Sequence, residues 1–185
     1  MALPTTLIPL LPLLLPLLLL LDLPSSTSVS VDPRPPHSLA AQQFLHATHD
    51  RLRFRADPTL CLDLTAGSLA KGNKIQLWPC DDPTSPASQR WTFYGDGAAA
   101  NASSSQALRY ASNLDWCVDL PGGLTNNGEQ VTIWQCPFPP NSNQAWVLRG
   151  EQISSGLNHS KCLEVVGGLP AAPGRQIELW DCATS

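Results

Sequence analysis

The fold is decided by a segment that reads Cys61-Leu62-Asp63-Leu64 and, after a gap, Lys74-Ile75-Gln76-Leu77-Trp78-Pro79-Cys80. The chain repeats it as Cys117-Val118-Asp119-Leu120 with Gln130-Val131-Thr132-Ile133-Trp134-Gln135-Cys136, and again as Cys162-Leu163-Glu164-Val165 with Gln176-Ile177-Glu178-Leu179-Trp180-Asp181-Cys182. The two cysteines are 19 residues apart in the first two copies and 20 in the third. Such self-similarity indicates a fold built from repeated units.

Each repeat extends beyond its two cysteines. Leu52, Leu108 and Ile153 occupy the same place ahead of the first cysteine and open a further strand-like stretch. The first two copies end on Ser88-Gln89-Arg90-Trp91 and Asn143-Gln144-Ala145-Trp146. Glycine-rich turns and many prolines separate these stretches, and no window has the period of an amphipathic helix. The sequence therefore predicts an all-β fold with repeats at about residues 51–95, 106–150 and 151–185.

The alternation of side chains along a strand assigns each residue to one of two faces. Cys61 and Asp63 share a face of the first strand, and Gln76, Trp78 and Cys80 share a face of the second. A disulfide within the repeat must bring these two faces together, because bonded cysteines hold their Cβ atoms within about 4.5 Å. Asp63, Gln76 and Trp78 are thus expected to converge on the outer surface. The opposite faces form the predicted core: Leu62, Leu64, Ile75, Leu77, Val118, Leu120, Val131 and Ile133.

An acid and an indole recur on the outer surface of all three copies. The second copy places Asp119, Thr132 and Trp134 there, and the third places Glu164, Glu178 and Trp180. A carboxylate and an amide can hydrogen-bond the hydroxyls of a sugar while an indole packs on the C–H face of its ring. The simpler alternative is that each tryptophan packs and each aspartate satisfies a turn. Trp91 and Trp146 are predicted to be core residues.

The first thirty residues have the order of a secretory signal. An apolar stretch runs from Leu7 to Leu21 and a small polar run follows from Ser25 to Ser30. The rival interpretation, a membrane span, is disfavoured because the stretch is short and interrupted by prolines. We expect a signal peptide at 1–30, a flexible segment at 31–41 and a domain at 42–185 in an extracellular protein, with no membrane insertion after cleavage.

Cysteine and glycosylation signals agree with export. Six cysteines in an exported chain favour disulfides, and the repeat predicts the pairs Cys61–Cys80, Cys117–Cys136 and Cys162–Cys182. Asn101 and Asn158 open glycosylation sequons. The formal net charge is −4, and removal of residues 1–30 takes away one acid, Asp22. This balance does not favour nucleic acid as a partner.

The repeats resemble those of the ricin-B-type lectins, which carry a Gln-x-Trp signature. Gln89-Arg90-Trp91 and Gln144-Ala145-Trp146 match this signature. The resemblance covers about residues 42–182. It implies a β-trefoil with pseudo-threefold symmetry and up to three shallow pockets. The partners implied are glycans or polysaccharides that contain galactose, N-acetylgalactosamine or related sugars such as xylose, with neither cofactor nor metal.

The resemblance also implies which residues form the pockets. The first would use Asp63, Gln76, Trp78 and Gln89, with Ser88 where the family often has asparagine. The second would use Asp119, Trp134, Asn143 and Gln144, with Thr132 in place of Gln76. The third has Glu164 for aspartate and no Asn-Gln-x-Trp after Cys182, so we expect it to be weak or inactive.

The missing last strand of the third repeat leaves two alternatives. The chain is a fragment with an unpaired strand edge, which favours association. Alternatively, the N-terminal segment Gln42-Gln43-Phe44 closes the barrel, with Phe44 in the place of the missing tryptophan. The second alternative requires Phe44 to be ordered and buried.

Two other functions compete with sugar binding. Hydrolysis of glycosides needs two opposed carboxylates, whereas the acids here recur once per repeat, which disfavours an enzyme. A carbohydrate-binding module derived from a secreted glycoside hydrolase stays an alternative. Asp81 and Asp82 are expected to form a solvated turn, and the histidines fit no catalytic triad or metal motif. A trefoil protease inhibitor would not explain the recurring acid and tryptophan.

Overall fold

The computed structural model describes residues 37–47, 50–80, 87–94, 105–137 and 141–184. The strands in these ranges are β1 Phe44–Ala47, β2 Arg51–Phe54, β3 Leu60–Leu64, β4 Ile75–Pro79, β5 Trp91–Tyr94, β6 Gln106–Tyr110, β7 Trp116–Asp119, β8 Glu129–Gln130, β9 Thr132–Gln135, β10 Ala145–Arg149, β11 Gln152–Ser155, β12 Lys161–Val165 and β13 Ile177–Asp181. Short 3-10 helices span Leu39–Gln42, Thr65–Gly67, Pro121–Gly123 and Ser142–Gln144. None of the helices in this part of the chain has the length and hydropathy to cross a membrane.

Six strands follow one another around a barrel in the order β5, β6, β10, β11, β1 and β2. Antiparallel pairing joins β5 to β6, β6 to β10, β10 to β11 and β1 to β2. A bridge between Gln43 and Gln152 joins β11 to β1. The circle closes where the amide of Trp91 donates to the carbonyl of Asp50 at 2.6 Å. Closure removes the exposed strand edges of the barrel.

One hairpin from each repeat lies beside the barrel: β3 with β4, β7 with β9, and β12 with β13. Neighbouring hairpins touch through the bridges Lys74 to Thr132 and Gln76 to Gln176, and through the pairing of β8 with β13. Barrel and hairpins together are a β-trefoil, as the resemblance implied. The pseudo-threefold arrangement of the sequence repeats is thereby confirmed in space.

The core contains the residues that strand alternation assigned to it. Side chains from all three repeats are at most 1% exposed and form one cluster: Leu62, Leu64, Ile75, Leu77, Val118, Leu120, Val131, Ile133, Leu163, Val165, Ile177 and Leu179. Trp91 and Trp146 join this cluster, as predicted. Their indole Nε1 groups donate to the carbonyls of Leu62 and Val118 at 3.0 and 2.9 Å. Each tryptophan thus ties its strand to the first strand of its own hairpin.

The N-terminal segment supplies the strand that the third repeat lacks. β1 pairs with β2 as β5 pairs with β6, and Phe44 takes the place of Trp91 in that register. Phe44 is 1% exposed and its ring lies 5.8 Å from that of Phe54. The amide of Phe44 donates to the carbonyl of Glu151 at 2.8 Å. The predicted closure of the barrel by the N-terminal segment is therefore observed.

Disulfides close each hairpin at its open end. They join Cys61 to Cys80, Cys117 to Cys136 and Cys162 to Cys182, with Cα separations of 5.1, 5.2 and 5.0 Å. These are the pairs expected within each repeat. A closed loop of this length stabilises the fold by about 3 kcal/mol in the chain-entropy account. Three such bridges fit an extracellular protein.

Candidate functional site

The register of the first hairpin places the predicted residues together. Cys61 lies opposite Trp78, and Asp63 lies opposite Gln76. Asp63 and Trp78 are therefore diagonal neighbours on one face, roughly 7–8 Å apart in such a ladder. The disulfide anchors this face at Cys61, and the aliphatic residues occupy the other one. Asp63, Gln76 and Trp78 share one face of the hairpin, as the alternation predicted. The expectation that the acids lie on the outer surface was wrong, because Asp63, Asp119 and Glu164 are buried.

Two donors hold the carboxylate of Asp63 in a fixed orientation. Gln76 Nε2 donates to Oδ1 at 3.0 Å, and Ser88 Oγ donates to Oδ2 at 2.5 Å. Asp63 itself is 2% exposed. A buried carboxylate requires such partners, because an unpaired charge loses its hydration without compensation. Ser88 is thus a hydrogen-bond partner of the buried Asp63 carboxylate.

The second pocket has the same frame with different partners. Asp119 lies opposite Thr132 and Cys117 lies opposite Trp134. Gln144 Nε2 donates to Asp119 Oδ2 at 2.8 Å. The Oγ1 of Thr132 is buried and has no hydrogen-bond partner within the described ranges. The indole of Trp134 is 39% exposed.

Asp119 carries a pH-dependent contribution to stability. Burial raises the pKa of its carboxyl above the usual 3.8, and the hydrogen bond from Gln144 opposes this rise only in part. The folded chain then holds a proton that the unfolded chain releases, so this contribution is complete below pH 3.8 and is lost as the pH rises through the raised pKa. As the pH rises through this pKa, the parent is expected to lose stability, whereas Asp119→Asn, which cannot titrate, keeps its stability. Urea unfolding across a pH series measures the difference, with the exposed Asp115→Asn as control; parallel curves would contradict it.

Gln89 and Gln144 lie beneath the pockets. Gln89 is fully buried and its Nε2 donates to the carbonyl of Pro79 at 2.8 Å, while Gln144 makes the matching bond to the carbonyl of Gln135 at 3.1 Å. Both acceptors immediately precede the second cysteine of their repeat. These glutamines therefore tie the last strand to the hairpin. Their direct contact with a sugar stays a prediction.

Trp134 and Trp78 each rest against a glycine from a neighbouring repeat. A Cβ placed on Gly72 would lie 3.8 Å from Cζ3 of Trp134, and one on Gly174 would lie 3.9 Å from Cζ3 of Trp78. The amide of Gly72 also donates to the carbonyl of Ile133 at 3.0 Å. Sequence reasoning confined each pocket to one repeat and missed this wall. A sequence pattern could have indicated it, because Gly72, Gly128 and Gly174 each precede a core residue by three positions. These core residues are Ile75, Val131 and Ile177.

Two further side chains, those of Lys71 and Asn143, lie close to the second hairpin. The Nζ of Lys71 lies 5.6 Å from the ring centroid of Trp134, a cation–π distance. Asn143 packs so closely on Gly123 that a Cβ there would lie 2.7 Å from Asn143 Oδ1. Asn143 and Ser88 hold equivalent positions, because their carbonyls accept from the amides of Leu120 and Leu64. Asn143 was a predicted site residue, whereas Lys71 was not.

The third pocket differs from the other two. Glu164 lies opposite Glu178, and Cys162 lies opposite Trp180. Gln42 Nε2 donates to Glu164 Oε2 at 2.5 Å and to the carbonyl of Asp181 at 2.8 Å. Gln42 thus occupies the place of Gln144 although it comes from the other end of the chain. Glu164 is fully buried.

Several sequence predictions fall on other parts of the chain. Residues 1–36, 48–49, 81–86, 95–104, 138–140 and 185 lie outside the described residues, and with them the predicted signal peptide, Asp81, Asp82 and Asn101. Asn158 lies in the turn before β12, where its Oδ1 accepts from the amide and hydroxyl of Ser160. Within the described ranges no group of His, Cys, Asp and Glu side chains could hold a metal ion.

Comparison with solved structures supports the fold. A designed threefold-symmetric protein, ThreeFoil, superposes with a TM-score of 0.55 at 17% identity, covering 73% of this chain and 89% of its own. A lectin of Polyporus squamosus, bound to the epitope Neu5Aca2-6Galb1-4GlcNAc, superposes with a TM-score of 0.50 at 18% identity over 69% of this chain and 41% of its own. These likenesses concern the fold alone.

Sequence comparison identifies the family. Agglutinin-1 of Abrus precatorius is 30% identical over 69 residues, which are 37% of this chain and 12% of agglutinin-1. The agglutinin of Ricinus communis is 27% identical over 78 residues, 42% of this chain and 13% of its own length, so the matched stretch is a small part of either relative. The model of the ricin-type beta-trefoil lectin domain matches residues 20–115 and 107–185. Because this match covers most of the sequence and the fold agrees with it, the chain belongs to the ricin-type β-trefoil lectin domain family.

Proposed function

We propose that this chain is a secreted, non-catalytic lectin that binds galactose-type or xylose-type sugars through its first and second pockets. The family supports carbohydrate binding as the general function. The disulfides and the apolar stretch from Leu7 to Leu21 support secretion. The lectin of Polyporus squamosus binds a galactose-containing epitope, which favours galactose-type sugars as the first probes.

The observation that carries the proposal is the repeated pairing of a held carboxylate with an indole on one face. In the first pocket Asp63 is fixed by Gln76 and Ser88 beside Trp78. In the second, Asp119 is fixed by Gln144 beside the exposed ring of Trp134. A preorganised acceptor and a flat apolar wall match the hydroxyls and the C–H face of a pyranose.

The same geometry supports binding without catalysis. Hydrolysis of a glycosidic bond uses two carboxylates that flank the bond on opposite sides. Among the residues that the structure describes, the first and second pockets each place one acid, Asp63 or Asp119, on the hairpin face beside the tryptophan. One carboxylate per pocket suffices to hold a hydroxyl but not to act as both acid and base.

Two pockets on one domain give the protein bivalency. Each pocket is shallow, so we propose weak binding of a monosaccharide and stronger binding of a surface that presents many copies. Linking two sites raises the overall affinity by about 100-fold to 10,000-fold where the geometry allows both to engage. A branched glycan or a polysaccharide is the ligand that uses this arrangement.

A glycan array with single and double tryptophan variants tests the proposal. Trp78→Ala and Trp134→Ala each remove one apolar wall, which is expected to weaken binding at that pocket by about threefold to tenfold. The double variant is expected to lose the avidity of the parent on galactose-terminated glycans or xylan. Tyr94→Ala, which removes an exposed ring from β5, should bind as the parent does. The proposal would be abandoned if the parent bound no glycan, or if the double variant bound as well as the parent.

A further inference from the structure

The third repeat keeps the frame of a pocket. Trp180 lies opposite Cys162 as Trp78 lies opposite Cys61. A Cβ placed on Gly128 would lie 3.9 Å from Cζ3 of Trp180, which is the same wall that supports the other two indoles. The third pocket therefore has its indole and its acid, Glu164, in the places where the proposed sugar sites have theirs.

A side chain from the N-terminal segment fills this frame. The imidazole of His37 stacks on the indole of Trp180 with ring centroids 3.7 Å apart and planes inclined by 1°. Its Nδ1 lies 2.6 Å from Oε1 of Glu164. The ring thus makes a flat contact with the indole and a polar contact with the buried acid at the same time. These are the two contacts that we assign to a sugar ring in the first and second pockets.

We propose that His37 is a tethered occupant of the third pocket and that a sugar binds there only when the N-terminal segment is displaced. The ring spacing leaves no room for a second ring between His37 and Trp180. A ligand from solution must therefore replace the imidazole. This inference rests on the proposed function, because it takes the ligand of the opened pocket to be the same class of sugar.

The chemistry of the pocket explains why a histidine fits it. Glu164 is fully buried and faces Glu178 across the hairpin, so its carboxylate needs donors. Burial raises the pKa of the Glu164 carboxyl, while the hydrogen bonds from Gln42 and His37 act against that rise. At the position of Ser88 and Asn143 this repeat has Ala41, which has no polar side chain. The imidazole N–H supplies the donor that Ala41 cannot.

The tether gives the imidazole an advantage over a dissolved sugar. His37 is five residues from Gln42, whose amide holds Glu164 and the carbonyl of Asp181. The segment between them is shaped by the 3-10 helix Leu39–Gln42, which begins where Ala41 N donates to Ser38 O at 2.8 Å. A short tether of this kind provides an effective concentration on the order of millimolar or more. A monosaccharide that binds weakly cannot compete with it at low concentration.

Two measurements on the full chain test the proposal. In proton NMR, stacking on an indole moves the ring protons of His37 upfield, and Trp180→Ala is expected to abolish that shift. For binding, the variant Asp63→Asn/Asp119→Asn silences the other two pockets. Adding His37→Ala in that background is expected to raise binding to the glycans recognised by the parent at least about tenfold. His159→Ala, which removes an exposed histidine from the turn before β12, is the matched control and should change neither measurement.

The outcomes separate this proposal from the proposed function. An upfield His37 signal together with a gain of binding supports the tethered occupant. An ordinary His37 signal overturns it, as does an unchanged level of binding after His37→Ala. If the parent itself binds no glycan, the proposed function fails and the sugar is lost as ligand of the third pocket. An upfield His37 signal in that case shows that His37 does stack on Trp180 and that only the assignment of a sugar as the ligand is wrong.

Discussion

Phe44→Ala is expected to lower the free energy of unfolding by about 3–5 kcal/mol, the cost of removing a fully buried phenylalanine from a core. Phe44 is the one phenylalanine of the N-terminal strand β1, and its ring packs with that of Phe54. Without it the strand loses its anchor in the cluster of all three repeats. Denaturant unfolding followed by circular dichroism measures the loss.

Leu45→Ala provides the matched control for this prediction. Leu45 is the next residue of the same strand, points to the other face and is only half-buried. Its truncation is expected to cost clearly less, since part of its surface stays in water in the folded state. Equal destabilisation by the two variants would show that β1 is held by its backbone pairing and not by the ring of Phe44.

Asp63→Asn combined with Asp119→Asn is expected to abolish detectable glycan binding. Each change keeps the shape of the side chain but removes the charge, so the hydrogen bonds to sugar hydroxyls lose about 1.5–3 kcal/mol. This corresponds to a loss of about tenfold to a hundredfold in each pocket, and the avidity of the pair disappears with it. Titration calorimetry with a multivalent glycan measures both the single and the double variants.

The exposed Asp115→Asn change is the control, because Asp115 precedes the first strand of the second hairpin and lies outside the pockets. Circular dichroism of all variants establishes that the fold is retained. Should the double aspartate variant bind with the affinity of the parent, the carboxylates would have no part in recognition. The tryptophan variants would then have to be explained by apolar contact alone.

The repeat pattern predicted the fold well because its information is local. Alternation around Cys61 and Cys117 decides which residues face the core, and the disulfides fix the relation between neighbouring strands. The same alternation placed Asp63 on the face of Trp78. Burial of Phe44 could be predicted as an alternative because Phe44 precedes Leu52 by eight residues, much as Trp146 precedes Ile153 by seven.

The parts that could not be predicted depend on contacts between distant segments. The stacking of His37 on Trp180 joins residues that are far apart in the sequence, and the segment around His37 resembles nothing in the repeats. A flexible segment was predicted at residues 31–41, and this stays a prediction. Within that range His37 contacts Trp180 and Glu164, contacts that the repeat pattern did not indicate. Lys71 belongs to the first repeat but lies over the ring of Trp134 in the second, a contact that a prediction made one repeat at a time does not include.

The closure of the barrel by β1 also determines the order in which the protein can be completed during synthesis. The bridge between Gln43 and Gln152 joins a strand that is translated early to one that is translated late. At about 5–20 residues per second, the ribosome needs on the order of 5–20 s to cover that interval. During this time the strands that pack around Phe44 have not all been synthesised, so the nascent chain carries an exposed aromatic segment that chaperones can bind. The third repeat is translated last, and Phe44 becomes buried only once the strands of that repeat have formed.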